Sequence, residues 1–297
     1  MSSTPDSDGL RVVLVSARNP LSIGAAARAM SNFGFAHLRV VNPYERAYRE
    51  ARSAVGAAWL LANAEEFKTV AEAVADCTLV VGTTAVRHRA LHHSLYRLED
   101  GAKIILKILG GGRSGTRKTR SKKAAREKTA RSRVALLFGS EKFGLSNEDL
   151  SHCHWLLHIP TSERNISMNL GQAVAICLYE LIRGPKGTSK GKSKNRLSAD
   201  SKERPGSDAI PGFASKFASK FADAKEKPQP AAAGEVERFT VVLTEVLSAS
   251  GFLDLRKVAD ANERVRRLVR RLNLPSRDAD MWTGIMRQIV WKLREKA

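Results

Sequence analysis

The chain is 297 residues long and 43% apolar, the profile of a globular protein with room for one sizeable core and a second, smaller domain. Its 50 Lys and Arg against 30 Asp and Glu leave a formal net charge of +20 at pH 7, which points to a polyanionic partner, nucleic acid first. The basic residues fall in polar runs rather than along an apolar-faced helix, and no apolar run approaches a membrane span, so a membrane is not the expected partner.

The first nine residues are polar and are expected to be disordered; they hold no basic region followed by an apolar core, so no secretory signal is read there. Residues 10–15 read as a buried strand, 22–33 as a helix with a small-residue face (Gly24, Ala25, Ala26, Ala27), and 38–41 as a second strand. Helical patterns follow at about 54–64 and 70–75, then a third strand at 78–82. Residues 104–109 are apolar but too short to assign. Residues 134–138 and 155–159 read as strands and 170–183 as a strong helix. Strands alternating with helices predict an α/β domain over 10–183: a parallel sheet with helices on both faces. The three cysteines (Cys77, Cys153, Cys177) are widely spaced in apolar segments, which suggests reduced thiols and a soluble, cytoplasmic protein.

Two segments break the pattern. Residues 113–133 hold ten Lys and Arg against one acid inside the α/β domain, a mobile loop or a helix formed only on RNA; Arg117, Lys118, Arg120, Lys122 and Lys123 are its candidate RNA contacts. Residues 184–233 are rich in Lys, Ser, Pro and Ala, with the near-repeat Phe213-Ala-Ser-Lys216 and Phe217-Ala-Ser-Lys220, and read as a low-complexity linker. Beyond it, residues 234–297 carry three amphipathic helical patterns, a small all-helical domain marginal on its own. Arg264, Arg266, Arg267, Arg270 and Arg271 form a basic stripe beside its apolar face, and Arg266, Arg267 and Arg270 are expected to meet RNA.

The densest chemistry lies in three short elements. Asn19-Pro-Leu-Ser-Ile-Gly24-Ala-Ala-Ala-Arg28 follows the first strand; it lacks G-x-G-x-x-G spacing, which makes a dinucleotide fold a poor fit. Arg28 is a long cation among alanines, able to reach across an interface or into a phosphate site. Gly139-Ser-Glu-Lys-Phe-Gly-Leu145 follows the strand at 134–138, and Ile159-Pro160 with Ser167-Met168-Asn169-Leu170 follows the next. Polar, glycine- and proline-marked turns at strand ends are what a ligand crevice in an open α/β sheet requires. His152, Cys153, His154 and His158 fall within seven residues, but strand alternation would put the histidines on one face and the cysteine on the other. Without C-x-x-C or H-E-x-x-H spacing, no metal is expected. His88, His92 and His93, after Arg87, read as surface histidines of a loop.

In this order, the three elements resemble the three motifs of the SpoU (TrmH-like) branch of the SPOUT methyltransferases, and Gly82-Thr-Thr-Ala, Ala173-Val-Ala and Tyr179-Glu-Leu181 fit its tRNA-modifying members. The resemblance covers residues 10–183 well and the C-terminal 60 more loosely. It implies a C-terminal trefoil knot, a feature nearly absent elsewhere, with S-adenosylmethionine bound in it. Thr83, Thr84, Gly139, Glu141, Ile159, Met168 and Leu170 would bind the cofactor. Asn19, Arg28, Glu141, Ser167 and Asn169 would form the catalytic set, with Arg28 serving the site of the other subunit of a homodimer. The implied reaction is 2′-O-methylation of ribose in tRNA, at nucleotide 32 of the anticodon loop. Ribosomal RNA as substrate, or RNA binding without catalysis, are the alternatives. An NAD-dependent oxidoreductase would need a glycine fingerprint and an acid after the second strand, which this chain lacks.

Overall fold

A computed structural model describes residues 7–43, 56–85, 92–110, 132–183, 229–253 and 258–295. The α/β part begins with a 3₁₀ turn, Ser7–Gly9, and strand β1, Leu10–Val15. Gly9 is buried, and a Cβ there would come within 2.7 Å of Leu109 Cδ2. Order therefore starts inside the stretch expected to be disordered. Helix α1 (Pro20–Phe33), β2 (Leu38–Val41), α2 (Ala58–Ala62), β3 (Glu65–Phe67), α3 (Val70–Ala73) and β4 (Leu79–Thr83) follow. Next come β5 (Leu95–Arg97), α4 (Leu98–Gly110), β6 (Val134–Phe138), α5 (Asn147–Ser151), β7 (Trp155–His158) and α6 (Leu170–Arg183).

The seven strands form one parallel sheet in the order β3-β2-β1-β6-β4-β7-β5. β1, β2 and β6 are buried along their whole length, as parallel strands covered on both faces must be. Alternation sends Leu10, Val12 and Leu14 into a core with α1, α4 and α6, and Val13 and Val15 into a second core on the opposite face. β6 enters between β1 and β4, and β7 between β4 and β5, so the later half of the chain occupies the middle of a sheet whose neighbours came earlier. The undecided run at 104–109 is the second half of α4, whose Leu98, Ala102, Ile105 and Leu109 are buried at helical spacing.

The C-terminal helices α7 (Ala233–Ala249), α8 (Val258–Arg271) and α9 (Ser276–Glu295) share a core of Ala231, Val236, Phe239, Val265, Val269 and Ala279. The described residues of 1–184 and 230–297 fall in one compact unit, with the three helices packed against the α/β part. The last residues of the expected linker are part of the dock. Ala233 N–H donates to Cys77 O at 2.7 Å and Gly234 N–H to Ala75 O at 2.9 Å, while Ala231 N–H donates to Leu274 O at 3.0 Å.

Arg266, Arg267 and Arg270 are also not where RNA contacts would be. Arg270 is 3% exposed; its Nη2 lies 3.6 Å from Glu237 Oε2 and donates to Ala233 O at 3.3 Å. Arg266 binds Glu237 through Nε at 3.0 Å and Ser151 Oγ through Nη1 at 3.0 Å. Arg267, largely buried, pairs with Glu263 at 3.4 Å. The expected stripe thus points largely inward, because one carboxylate, Glu237 on α7, collects two guanidiniums against α5. His152, the C-cap of α5, has Nδ1 3.7 Å from the same carboxylate. Burial first, then Arg266 and Arg270, push its pKa down to about 3, so it is neutral near pH 7.

Removing the Glu237 carboxylate would leave Arg270 buried without its counter-charge, so Glu237→Ala is expected to lower the unfolding free energy by about 3–5 kcal/mol in urea denaturation, with Arg270→Met in the same chain recovering much of the loss. His152 adds a pH dependence. A histidine held neutral in the fold binds its proton more readily when unfolded, so its contribution is complete above about pH 6.5 and declines as pH falls toward 3. Between pH 7 and 5 the wild type should lose about 2 kcal/mol from this group, a loss absent in His152→Gln.

Candidate active site

The site is built on the C-terminal ends of three neighbouring strands, β6, β4 and β7. Phe138 at the end of β6 aligns with Leu14 of β1, and the chain then turns through Gly139. A Cβ on Gly139 would stand 2.0 Å from the carbonyl carbon of Gly144 and 2.2 Å from the nitrogen of Leu145. Only glycine lets the two backbones pass. The turn closes as a small hairpin, with Gly144 N–H donating to Ser140 O at 2.8 Å and Gly144 at φ +68°. That left-handed conformation favours glycine again.

Glu141, in this hairpin, reaches the N-terminal element. Its Oε2 accepts from Arg18 N–H and its Oε1 from Asn19 N–H, each at 3.3 Å. One carboxylate thus receives two adjacent backbone donors just before α1 and ties the hairpin to the N-terminal element. Asn19 itself is the N-cap of α1, its side-chain oxygen accepting from Leu21 N–H at 2.9 Å ahead of Pro20. The signal for Arg18 was absent from the sequence, since a backbone donor carries no residue identity.

Thr83 and Thr84 link β4 to both neighbours. Thr83 Oγ1 donates to Leu137 O on β6 at 2.8 Å, and Thr84 N–H donates to Leu157 O on β7 at 2.9 Å. Ile159 follows β7 and is half-buried, as is Met168, while Ser167 and Asn169 are exposed at the start of α6 and Leu170 is buried. Asn169 Oδ1 accepts from Gly171 N–H at 2.9 Å, which caps α6. Gly171 lets α6 approach α1 so closely that a Cβ would meet Ala25 Cβ at 2.6 Å. Motif-bearing segments 19–28, 139–145 and 167–171 are therefore mutually fixed, the second to the first through Glu141 and the third to the first through Gly171.

Arg28 is exposed on α1; a Cβ built on Gly56 would lie 3.5 Å from its Nη1, so the guanidinium passes over that glycine. Arg117, Lys118, Arg120, Lys122 and Lys123 lie outside the described residues, as does His88. The histidine alternation at 152–158 does not form, because β7 starts only at Trp155; His154 Nδ1 instead accepts from Val80 N–H at 3.0 Å. Among the described residues no group of three or more His, Cys, Asp or Glu could hold a metal, and no helix is long and apolar enough to cross a membrane.

The hairpin makes a direct test. Gly139→Ala must force residues 139 and 144 apart, and overpacking of this kind costs about 1–3 kcal/mol. The expected outcome is a lower melting temperature together with faster hydrogen exchange at the Gly144 amide; unchanged exchange would refute the steric account.

Known proteins support a family assignment along most of the chain. A model described as the SpoU rRNA Methylase family matches residues 9–179. The tRNA (cytidine/uridine-2'-O-)-methyltransferase TrmJ of Sodalis glossinidius is 29% identical over 94% of this chain and 91% of its own length. An uncharacterized tRNA/rRNA methyltransferase of Haemophilus influenzae is 31% identical over 69% of this chain and 75% of its own. The crystal structure of TrmJ from Z. mobilis superposes with a TM-score of 0.66 at 25% identity, covering 94% of this chain and 98% of that one. With the family model spanning more than half the chain, and with its three motif segments held together by Glu141 and Gly171, this protein belongs to the SpoU methylase family.

Proposed function

We propose that the protein is an S-adenosylmethionine-dependent methyltransferase that modifies a ribose 2′-hydroxyl of tRNA. The observation that carries this reading is the convergence at the ends of β4, β6 and β7 of Thr83, Thr84, Gly139, Glu141 and Ile159, with Ser167–Leu170 at the start of α6. Similarity to tRNA 2′-O-methyltransferases over nearly the whole chain supports it. Nucleotide 32 of the anticodon loop is the specific target of the proposal, and the cytoplasm is the compartment it implies. The insertion of β6 and β7 between earlier strands favours the trefoil knot.

The residues present suit the cofactor. Gly139 leaves backbone rather than side chain at the strand end, where a Cβ has no room, and half-buried Ile159 and Met168 suit apolar parts of a nucleoside. Thr83, Thr84, Gly139, Glu141, Ile159, Met168 and Leu170 would hold it, and when bound it supplies a methyl group activated on a sulfonium. The protein's work is then orientation, since alignment of reacting atoms supplies much of such a rate. Ser167 and the Asn169 amide nitrogen, exposed at a helix start, would meet a ribose. A guanidinium is a standing cation in proteins and a poor base, so Arg28 would hold a phosphate and stabilise negative charge growing on the 2′-oxygen. Leu21 on α1, with Ile176 and Tyr179 on α6, leaves apolar surface on the two helices that carry and flank Arg28. That surface supports a homodimer in which Arg28 serves the partner's site.

Mapping the methylated nucleotide after incubation with total RNA and labelled cofactor tests the whole reading. The expected product is tRNA labelled at one ribose and unlabelled when that sugar is 2′-deoxy. Label in ribosomal RNA, or no cofactor binding by calorimetry, would overturn it. Arg28→Ala should lose at least about 100-fold in kcat with an unchanged melting temperature.

A further inference from the structure

We propose that Phe143, with Lys142 beside it, is a base-stacking residue of the RNA site on the rim of the crevice; this rests on the functional reading above. Phe143 is 75% exposed, and among the large apolar side chains of the described residues only Phe252 stands further out. An exposed phenylalanine on a loose loop would mean little, but this one is mounted rigidly. The hairpin that carries it is closed by Gly144 N–H to Ser140 O, Phe143 N–H donates to Ser140 Oγ at 3.3 Å, and at Gly139 the two backbone segments pass too closely for a side chain. Two residues before it, Glu141 fastens the same hairpin to the backbone of Arg18 and Asn19. The backbone that carries the ring is thus tied down next to the strand ends where the other site residues gather.

Its chemistry selects the ligand. Lys142 Nζ lies 5.0 Å from the ring centroid, close enough for a cation–π contact. A cation and an aromatic face together match a phosphate and the base attached to it. Sequence-reading proteins meet RNA at unstacked loop bases, which they stack on aromatic side chains, whereas contacts to phosphate alone carry no identity. A chain with a net charge of +20 has abundant means to hold phosphates; a preset ring adds contact to a base. With only two side-chain torsions, a ring on a rigid turn has little freedom left to lose on binding.

The test uses the full-length protein, unfractionated bacterial tRNA and labelled S-adenosylmethionine. Stacking on one ring should be visible as a rise of about 10- to 100-fold in KM for tRNA in Phe143→Ala. Cofactor affinity by calorimetry and molecular mass by light scattering should not move. Phe143→Trp should restore KM, and Phe143→Leu should not, because leucine keeps apolar area without a π-face. A wild-type KM in Phe143→Ala, or rescue by leucine equal to that by tryptophan, would overturn the proposal while leaving tRNA methylation intact. A change of mass in Phe143→Ala would overturn it in favour of a contact with a second copy of the chain. Wild-type protein that methylates no tRNA would instead overturn the functional reading, and this inference with it.

Discussion

The position of β6 constrains everything that matters in this molecule. Val134 of β6 aligns with Leu10 of β1 on one side and Leu79 of β4 on the other, and Leu137 aligns with Val13 and Gly82. The two ladders fix the strand's register twice. A slip of one residue would exchange Val134, Leu136 and Phe138, which face the α1–α4–α6 core, with Ala135 and Leu137, which face the other. Gly139 therefore emerges at a set height, and the hairpin behind it inherits that placement. Gly82 is part of the same constraint, since a Cβ there would lie 2.8 Å from Cys153 Sγ and press β4 away from the segment leading into β7.

Magnitudes show why the site depends on sterics more than on its hydrogen bonds. The two contacts that Glu141 makes to backbone amides are 3.3 Å long and solvent-exposed. Each is worth about 1 kcal/mol at most, as water competes for the same groups. The hard limits come from places where a side chain cannot exist: Gly139 against Gly144, and Gly171 against Ala25. Tightly packed backbone cannot drift by an ångström without overlap, whereas an exposed carboxylate can exchange partners at small cost. Glu141 thus selects one arrangement among the few that the glycines allow.

Much of this was legible in the sequence because it is written in residue types with narrow uses. The buried strands announce themselves as unbroken Val and Leu runs, and the glycines of the second element mark a turn that no other residue could make. β3, β5 and α5 left no such trace. The two strands are three residues long and largely exposed, and α5 is five residues held by the Ser146–Asp149 capping box rather than by an apolar stripe. Helix α1 starts at Pro20, two residues earlier than its apolar pattern suggests, because Asn19 caps it and proline suits a first turn. The dock of α7–α9 was illegible for a different reason: the backbone carbonyls of Ala75 and Cys77 that receive it are common to every residue type.

The basic stripe on α8 shows what a charge count can and cannot say. Composition records five arginines between 264 and 271, but a guanidinium is available to RNA only if it keeps its water and has no internal carboxylate to meet. Arg266 and Arg270 lie four apart on one face of the helix, and Glu237 draws both inward with Ser151. The opposite face holds Arg264 and Arg271, both exposed, beside Leu268 and Leu272, which are 50% and 54% exposed. Helical spacing alone would have buried the leucines and left all the arginines outside. A single acidic residue on the neighbouring helix reverses that choice, since a buried arginine without a carboxylate would cost more than two exposed leucines forgo. The arginines of α8 therefore divide, Arg266 and Arg270 holding the helical bundle to the α/β part while Arg264 and Arg271 stay in water, and the position of the acid decides which arginine does which.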